Sequence, residues 1–198
     1  MNLDTTQLVA LAAALGWASG LRLYAVLFIT GAVGFLGWVE LPSGLQILQQ
    51  PLVLGASGLM SAVEFLADKI PAVDTVWDGV QTLLRIPAGA ALAAAALGAD
   101  SATWTLLAAL LGGGLAASAH AAKASVRAAA NTSPEPFSNV ALSLAGDAMV
   151  PGLLWLAWQH PVAAIVAVAL ATVVCIVVVV VLWRFLKGLL ARWRPRPS

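Results

Sequence analysis

The chain has 198 residues, of which 61% are hydrophobic and only 10% are charged, and its mean hydropathy is +0.94. A typical soluble domain carries about 25% charged residues, so this composition excludes a soluble globular protein and makes lipid the solvent. The net charge of +1 hides a basic cluster in the last fifteen positions, formed by Arg184, Lys187, Arg192, Arg194 and Arg196. Because the cluster follows a long apolar run, we interpret it as an anchor on anionic lipid headgroups and not as a nucleic-acid site.

Six apolar segments are candidates for membrane helices, since a spanning helix needs about 20 mostly apolar residues. We predict them at residues 6–33, at 51–66, from after Pro71 to 97, and at 102–128, 137–158 and 162–183. The clearest loop is 131–136, whose two prolines cannot continue a helix. The expected fold class is all-α, a polytopic helical membrane bundle with about six transmembrane segments. We assign residues 1–186 to the transmembrane domain and 187–198 to a basic cytoplasmic tail.

The topology has two alternatives. Six crossings would place both termini in the cytoplasm, with Lys69, Lys123 and Arg127 on the same side, as the positive-inside rule requires. The second alternative rests on an internal repeat, because residues 11–16 resemble 107–112 and the motif around Pro71 resembles the one around Pro136. If the repeated pairs keep one orientation, the short second segment is re-entrant, and five spans leave the N-terminus outside.

An acidic segment lies between the second and third apolar runs. Glu64 and Asp68 are four residues apart, as are Asp74 and Asp78, so each pair shares a helical face, and Arg85 follows two turns further along. One interpretation is a cytoplasmic corner in which Asp74 stabilises the N-terminus of the third helix and Lys69 pairs with acids. The deeper members, Glu64, Asp78 and Arg85, favour a functional role, because a charge at bilayer depth needs a partner or a cavity.

Further polar residues interrupt the other apolar runs. They are Arg22 and Tyr24 in the first segment, a stripe of His120, Lys123 and Arg127 in the fourth, and Asp147 in the fifth. Together with the acidic segment they give five acids against five bases, which predicts pairing inside the bundle. Such a network is either structural or a gate that opens when one carboxylate takes a proton. A lone His120 and a lone Cys175 give no zinc site and no disulfide.

Three stretches carry a resemblance to a known family. They are residues 20–24 (Gly-Leu-Arg-Leu-Tyr), the string from Glu64 to Asp78 (Glu-Phe-x-Ala-Asp-Lys-Ile-Pro-x-x-Asp-x-x-Trp-Asp), and residues 85–89 (Arg-Ile-Pro-Ala-Gly). Over about residues 8–185 the chain resembles the bacterial DUF4126 membrane family. The resemblance implies a multi-pass protein of the bacterial inner membrane, with its C-terminus in the cytoplasm by the charge argument above. It points to the same polar residues and implies no particular activity.

The leading hypothesis is a small transporter or channel for an ion or a small polar solute, with the intramembrane charges lining the path. We expect the path residues to be Glu64, Asp68, Asp74, Asp78, Arg85, Arg22, Tyr24, His120, Lys123 and Asp147, with no catalytic residue, metal or cofactor. The alternatives are a structural or assembly subunit and a magnesium-dependent enzyme acting on lipid phosphates through Asp74 and Asp78. Expected partners are the bilayer and the solute, and the Gly112–Gly114 run predicts close helix contacts within one protomer or between two copies.

Overall fold

A computed structural model describes residues 3–70, 73–98, 102–130 and 137–192 of the chain. These residues form six α-helices and one 3₁₀ helix, and the predicted all-α class is confirmed. The helices are α1 (Thr5–Phe35), α2 (Pro51–Ala67), α3 (Val73–Leu97), α4 (Ala102–Ala130), α5 (Phe137–Gln159) and α6 (Pro161–Arg192), with the 3₁₀ helix at Ser43–Gln49. Pro71, the predicted loop at 131–136 and the last six residues of the basic tail lie outside the described residues.

Five of the described helices are long and apolar enough to cross a membrane: Thr5–Phe35, Val76–Leu97, Ala102–Ala130, Val140–Gln159 and Pro161–Phe185. The 3₁₀ helix and α2 add a sixth candidate if they count as one span, although they meet at an angle of 72°. The chain is therefore a helical membrane protein with five to six candidate spans, as its composition predicts. α6 continues as a helix to Arg192, beyond its predicted end at residue 183.

α1 is broken at Arg22, which has φ −146° and ψ 86° and separates helical arms at residues 5–21 and 23–35. A straight helix of this length would hold its ends about 45 Å apart. Yet Leu8 of the first arm and Gly34 of the second line the same cavity of about 920 Å³, together with Leu97 at the end of α3. The two arms therefore fold back on each other, and we call this element the α1 hairpin, with Arg22 at its tip.

Protein groups form hydrogen bonds with the backbone that the break at the hairpin tip leaves unpaired. The carbonyl oxygen of Leu21 accepts a hydrogen bond from Lys123 Nζ at 3.2 Å, and the Arg22 side chain is only 3% exposed. Broken backbone at membrane depth is tolerated where protein or a polar cavity surrounds it, because lipid offers no hydrogen bonds. The hairpin tip consequently lies inside the bundle and not against the acyl chains.

Helices α2 to α6 alternate in direction along the bundle. α2 runs antiparallel to the second hairpin arm, since added Cβ atoms at Gly31 and Gly58 would meet Leu54 and Phe28. It therefore leads from the end that holds the 920 Å³ cavity, which we call the far end, to Asp68 beside Arg22, at what we call the charged end. Helices α3 to α6 then cross in alternation, so the N-terminus lies at the far end and α6 finishes at the charged end.

α1 folds back at a single residue, Arg22, which the sequence did not indicate. The second predicted segment forms α2, which together with the 3₁₀ helix is a bent pair, either a broken span or a re-entrant loop. Which of the two topologies the chain adopts in a membrane stays a prediction. Residues 11–16 and 107–112 run side by side, with Gly16 against Gly112, while the internal repeat itself stays a prediction.

Small residues let the first hairpin arm pack closely between α3 and α4. An added Cβ at Gly16 would lie 2.8 Å from the Cα of Gly112, and one at Gly89 would lie 2.6 Å from the Ser19 hydroxyl oxygen. Close backbone approach replaces the hydrophobic effect as the force that holds helices together in lipid. This packing fixes the hairpin tip, and with it Arg22, at the centre of the polar residues.

Candidate functional site

The inward face of α3 is polar from its first turn to its middle. Asp74, Asp78, Gln81 and Arg85 follow at intervals of four, three and four residues, which places them on one helical face, and all four are buried. Arg85 is the middle residue of α3. The polar face therefore reaches half-way along a membrane helix, where a side chain has no loop water to solvate it.

Arg85 is the centre of one group of contacts and has no exposed surface. Its Nη2 lies 2.7 Å from Glu64 Oε1 and its Nη1 lies 2.9 Å from Asp78 Oδ1. Nη1 also lies 3.1 Å from His120 Nδ1. We call these four residues the Arg85 cluster, which joins α2, α3 and α4.

The contacts of His120 with Arg85 and Thr82 favour one tautomer of its ring. A guanidinium group can only donate, so Nδ1 must accept from Arg85 and carries no proton. Nε2 therefore carries the proton and donates to Thr82 Oγ1 at 2.6 Å, and the Thr82 hydroxyl donates to the Asp78 carbonyl oxygen at 2.8 Å. His120 is neutral in this arrangement, because a proton on Nδ1 would face the Arg85 guanidinium.

A second group of contacts surrounds Asp68, whose side chain is 1% exposed. Its Oδ2 lies 3.0 Å from Lys123 Nζ, 3.1 Å from Arg22 Nη1 and 3.3 Å from Arg127 Nη2. Lys123 also lies 3.1 Å from Asp78 Oδ1 and so connects this group to the Arg85 cluster. Arg127 extends it to Asp74 at 2.9 Å.

The network ends at α5, on its least buried side. Arg22 Nη2 lies 2.9 Å from Asp147 Oδ1 and also donates to the hydroxyl oxygen of Ser143 at 2.9 Å. Lys69 Nζ lies 3.4 Å from Asp147 Oδ2, with both side chains 22% exposed. Lys69 also sits over the Phe65 ring, 2.9 Å from its centre, so its charge is held at the margin of the bundle.

These contacts form one continuous charge network over helices α1 to α5. Its members are the acids Glu64, Asp68, Asp74, Asp78 and Asp147, the bases Arg22, Lys69, Arg85, Lys123 and Arg127, and neutral His120. The structure thus brings together the five acids and five bases counted in the sequence. Tyr24 is half-buried and takes no part in the ion pairs of the described residues. Gln81, Thr82 and Ser143 are not among the predicted path residues, and only the helical spacing of Gln81 from Arg85 could have indicated one of them.

Three buried polar atoms, two on the Arg85 cluster and one on Gln81 of the same α3 face, have no hydrogen-bond partner among the described residues. They are Glu64 Oε2, Gln81 Oε1 and Arg85 Nε. Buried polar atoms without partners are rare in folded proteins, and each one calls for an explanation such as a bound guest. Two acceptors and one donor here are suited to a small molecule or ion that is itself polar.

Two cavities flank the network and share Arg127. One of about 220 Å³ is lined by Arg22, Asp68 and Lys123 together with apolar residues of α5 and α6. The other, of about 210 Å³, is lined by Asp78, Thr82 and His120. The paired charges therefore stand between two spaces that are each large enough for a small solute.

The proposed magnesium site finds no support in the geometry. Asp74 already pairs with Arg127, and Asp78 pairs with Arg85 and Lys123. Among the residues that the structure describes, no group of three or more His, Cys, Asp and Glu side chains is placed to hold a metal ion.

A family model described as a domain of unknown function, DUF4126, matches residues 9–181. The chain belongs to the DUF4126 family. Comparison of this DUF4126 protein with curated proteins and with solved structures gave no match. The matched range includes each member of the charge network, from Arg22 to Asp147, so the network belongs to the DUF4126 domain and not to a terminal extension.

Proposed function

We propose that this protein is a membrane transporter or channel for an ion or a small polar solute, and that the charge network lines the path. The observation that carries the proposal is the set of unpartnered atoms on Glu64 of α2 and on Gln81 and Arg85 of α3. A single charge at bilayer depth costs about 2.5 to 3.5 kcal/mol on insertion scales. A purely structural core would gain nothing from leaving part of such costly groups unbonded.

The path continues toward the far end through uncharged polar residues. Ser57 lies two turns before Glu64 on α2 and is buried, and Thr30 of the second hairpin arm is buried with no partner for its hydroxyl oxygen among the described residues. Beyond Thr30, Gln49 lines the 920 Å³ cavity at the far end. The hairpin arms close the region between, so the α1 hairpin is the element whose movement would open the path.

The charge balance of the network restricts which kinds of solute could pass. The network holds five acids and five bases with His120 neutral, so an ion entering alone would leave a net charge in a low-dielectric site. A neutral polar solute, or an ion accompanied by a proton, keeps the balance. We therefore propose transport of a neutral solute or of an ion coupled to protons.

We propose the bacterial inner membrane as the location, with the charged end in the cytoplasm. Lys69, Arg184 and Lys187 lie at this end, whereas Glu40 and His160 lie in the far-end loops, and basic residues favour the cytoplasmic side. The hairpin then enters from the outside, and the N-terminus is external.

Flux into proteoliposomes tests the proposal. We would measure proton flux, ion flux driven by salt gradients, and stopped-flow shrinkage with neutral polar solutes. The proteins compared are the wild type, Glu64→Gln, Asp78→Asn and the control Glu40→Gln. The control neutralises an exposed carboxylate at the far end in the same way. We expect flux of at least one solute that Glu64→Gln and Asp78→Asn abolish and Glu40→Gln retains. No flux through the wild type, or network variants that conduct as the wild type does, would refute the proposal.

The second candidate is a structural or assembly subunit, which is favoured by the pairing of each of the ten network charges with an opposite charge. In that case the network specifies how the helices pack. This function predicts that the Glu64→Gln and Asp78→Asn variants lose thermal stability, that the wild type gives no flux, and that one stoichiometric partner co-purifies.

A further inference from the structure

The 220 Å³ cavity beside the network differs from the other spaces in the bundle, because one end is cationic and the rest is apolar. It lies between α1, α4, α5 and α6, and we call it the lateral cavity. Arg22, Lys123 and Arg127 line its polar end, where Asp68 is the single carboxylate. The other acids that pair with these cations, Asp74, Asp78 and Asp147, lie outside the lining. The wall that faces a guest therefore carries three cations and one acid, which favours an anionic guest.

Arg22 supplies the hydrogen-bond donor that a bound anion would use. Its Nη1 makes a charge contact of 3.1 Å with Asp68 Oδ2, but the geometry gives this nitrogen no hydrogen-bond partner among the described residues, although the side chain is 97% buried. A guanidinium nitrogen in this position donates best to a carboxylate or phosphate oxygen. The polar end therefore offers a ready hydrogen-bond donor to an anionic headgroup.

The other walls are apolar and open toward lipid. Trp17, Met149, Val174 and Val178 line them, and Met149 and Val174 are 46% and 60% exposed. These two residues lie on α5 and α6, so the opening lies between those helices. A hydrocarbon chain can reach the cavity from the bilayer without crossing polar protein surface.

The volume of the lateral cavity limits the size of the molecule that it can hold. An apolar cavity of about 150 Å³ holds benzene, with its six non-hydrogen atoms, so the lateral cavity takes about nine. This corresponds to a headgroup and a short chain, with any longer tail extending between α5 and α6.

We propose that the lateral cavity binds a single-chain amphiphilic anion, a carboxylate or phosphate monoester whose headgroup sits on Arg22 and whose chain lies against Trp17 and Met149. Binding does not require transport, so it is measured apart from flux, and either proposal can fail without the other.

Equilibrium dialysis of the protein in nanodiscs, with empty nanodiscs as background, tests the inference. The probes are octanoate, octyl phosphate, octanol and acetate. We expect saturable binding of one octanoate or one octyl phosphate per protein. Octanol should bind at least about tenfold more weakly, since a hydrogen bond to a charged group contributes that much. Acetate should also bind at least about tenfold more weakly, because it buries no hydrocarbon chain. The tighter of the two anions identifies the headgroup.

Two glycines of α5 give a matched pair of variants. A Cβ at Gly146, which lines the cavity, would meet only Arg22 Nε at 3.7 Å, whereas nothing lies within 4 Å of a Cβ at Gly152. Gly146→Val fills the cavity and should abolish octanoate binding, while Gly152→Val should leave it unchanged. Arg22→Gln should weaken octanoate about tenfold or more and leave octanol unaffected.

Several results would overturn the inference. Octanol binding as tightly as both anions would make the cavity a cleft for any lipid chain, and acetate binding equally well would make it a simple anion site. Unchanged octanoate binding in a folded Gly146→Val protein would place the guest elsewhere. No saturable binding of either anion to the wild type would remove the site altogether.

Discussion

The close contact between α3 and α4 helps to hold the α1 hairpin in place, and it predicts opposite effects for two neighbouring glycines of α4. A Cβ on Gly112 would meet the Ala93 methyl group and would lie 2.5 Å from the carbonyl oxygen of Gly89, whereas nothing lies within 4 Å of a Cβ on Gly114. Overpacking costs about 1–3 kcal/mol, and both Gly→Ala changes gain up to about 1 kcal/mol of helix propensity. Gly112→Ala should therefore lower the free energy of unfolding by up to about 2 kcal/mol.

Gly114→Ala should raise the same free energy by up to about 1 kcal/mol, so the two variants differ by about 1–3 kcal/mol. Unfolding by SDS in mixed micelles, followed through the fluorescence of the eight tryptophans, measures both. If the two variants shift the transition equally and in the same direction, α4 does not pack against α3 as described.

Three further predictions concern the network and the topology. Asp68→Asn leaves three buried cations short of a partner and should lower the free energy of unfolding by about 3–5 kcal/mol. Asp147 is 22% exposed, so Asp147→Asn should lower this free energy by about 1 kcal/mol or less. Equal losses in the same SDS titration would contradict the described contacts. Solid-state ¹⁵N NMR should find the His120 proton on Nε2, and a proton on Nδ1 would mean that Arg85 does not donate to this ring. Protease-accessible tags on the two termini should be cleaved from opposite sides of the membrane, and cleavage from one side would contradict the hairpin.

The six helical segments and the pairing of the charges were predictable from the sequence. Long apolar runs define membrane helices, and charges such as Arg85 and Asp147 inside those runs must find partners in the bundle because lipid offers none. The equal count of acids and bases indicated that the partners are one another. Which acid meets which base depends on helix rotation and could not be read from spacing alone.

The hairpin was not predictable, because its turn needs only the φ and ψ of Arg22 to change within an apolar run. The group that satisfies the freed Leu21 carbonyl oxygen is Lys123, which lies 102 positions away in sequence. Gln81 and Ser143 escaped notice for a related reason, since uncharged polar residues are common in membrane helices and attract attention only when their surroundings are known.

Flux through a Gln81→Leu protein in proteoliposomes tests most directly whether solute passes the Arg85 cluster. Gln81 takes part in none of the described ion pairs, and its Oε1 is among the unpartnered atoms, so the substitution removes a solute contact and leaves the charge network intact. We predict that flux falls while the SDS unfolding transition stays in place. Wild-type flux through a stably folded Gln81→Leu protein would show that the solute does not pass Gln81 and would contradict the proposed path.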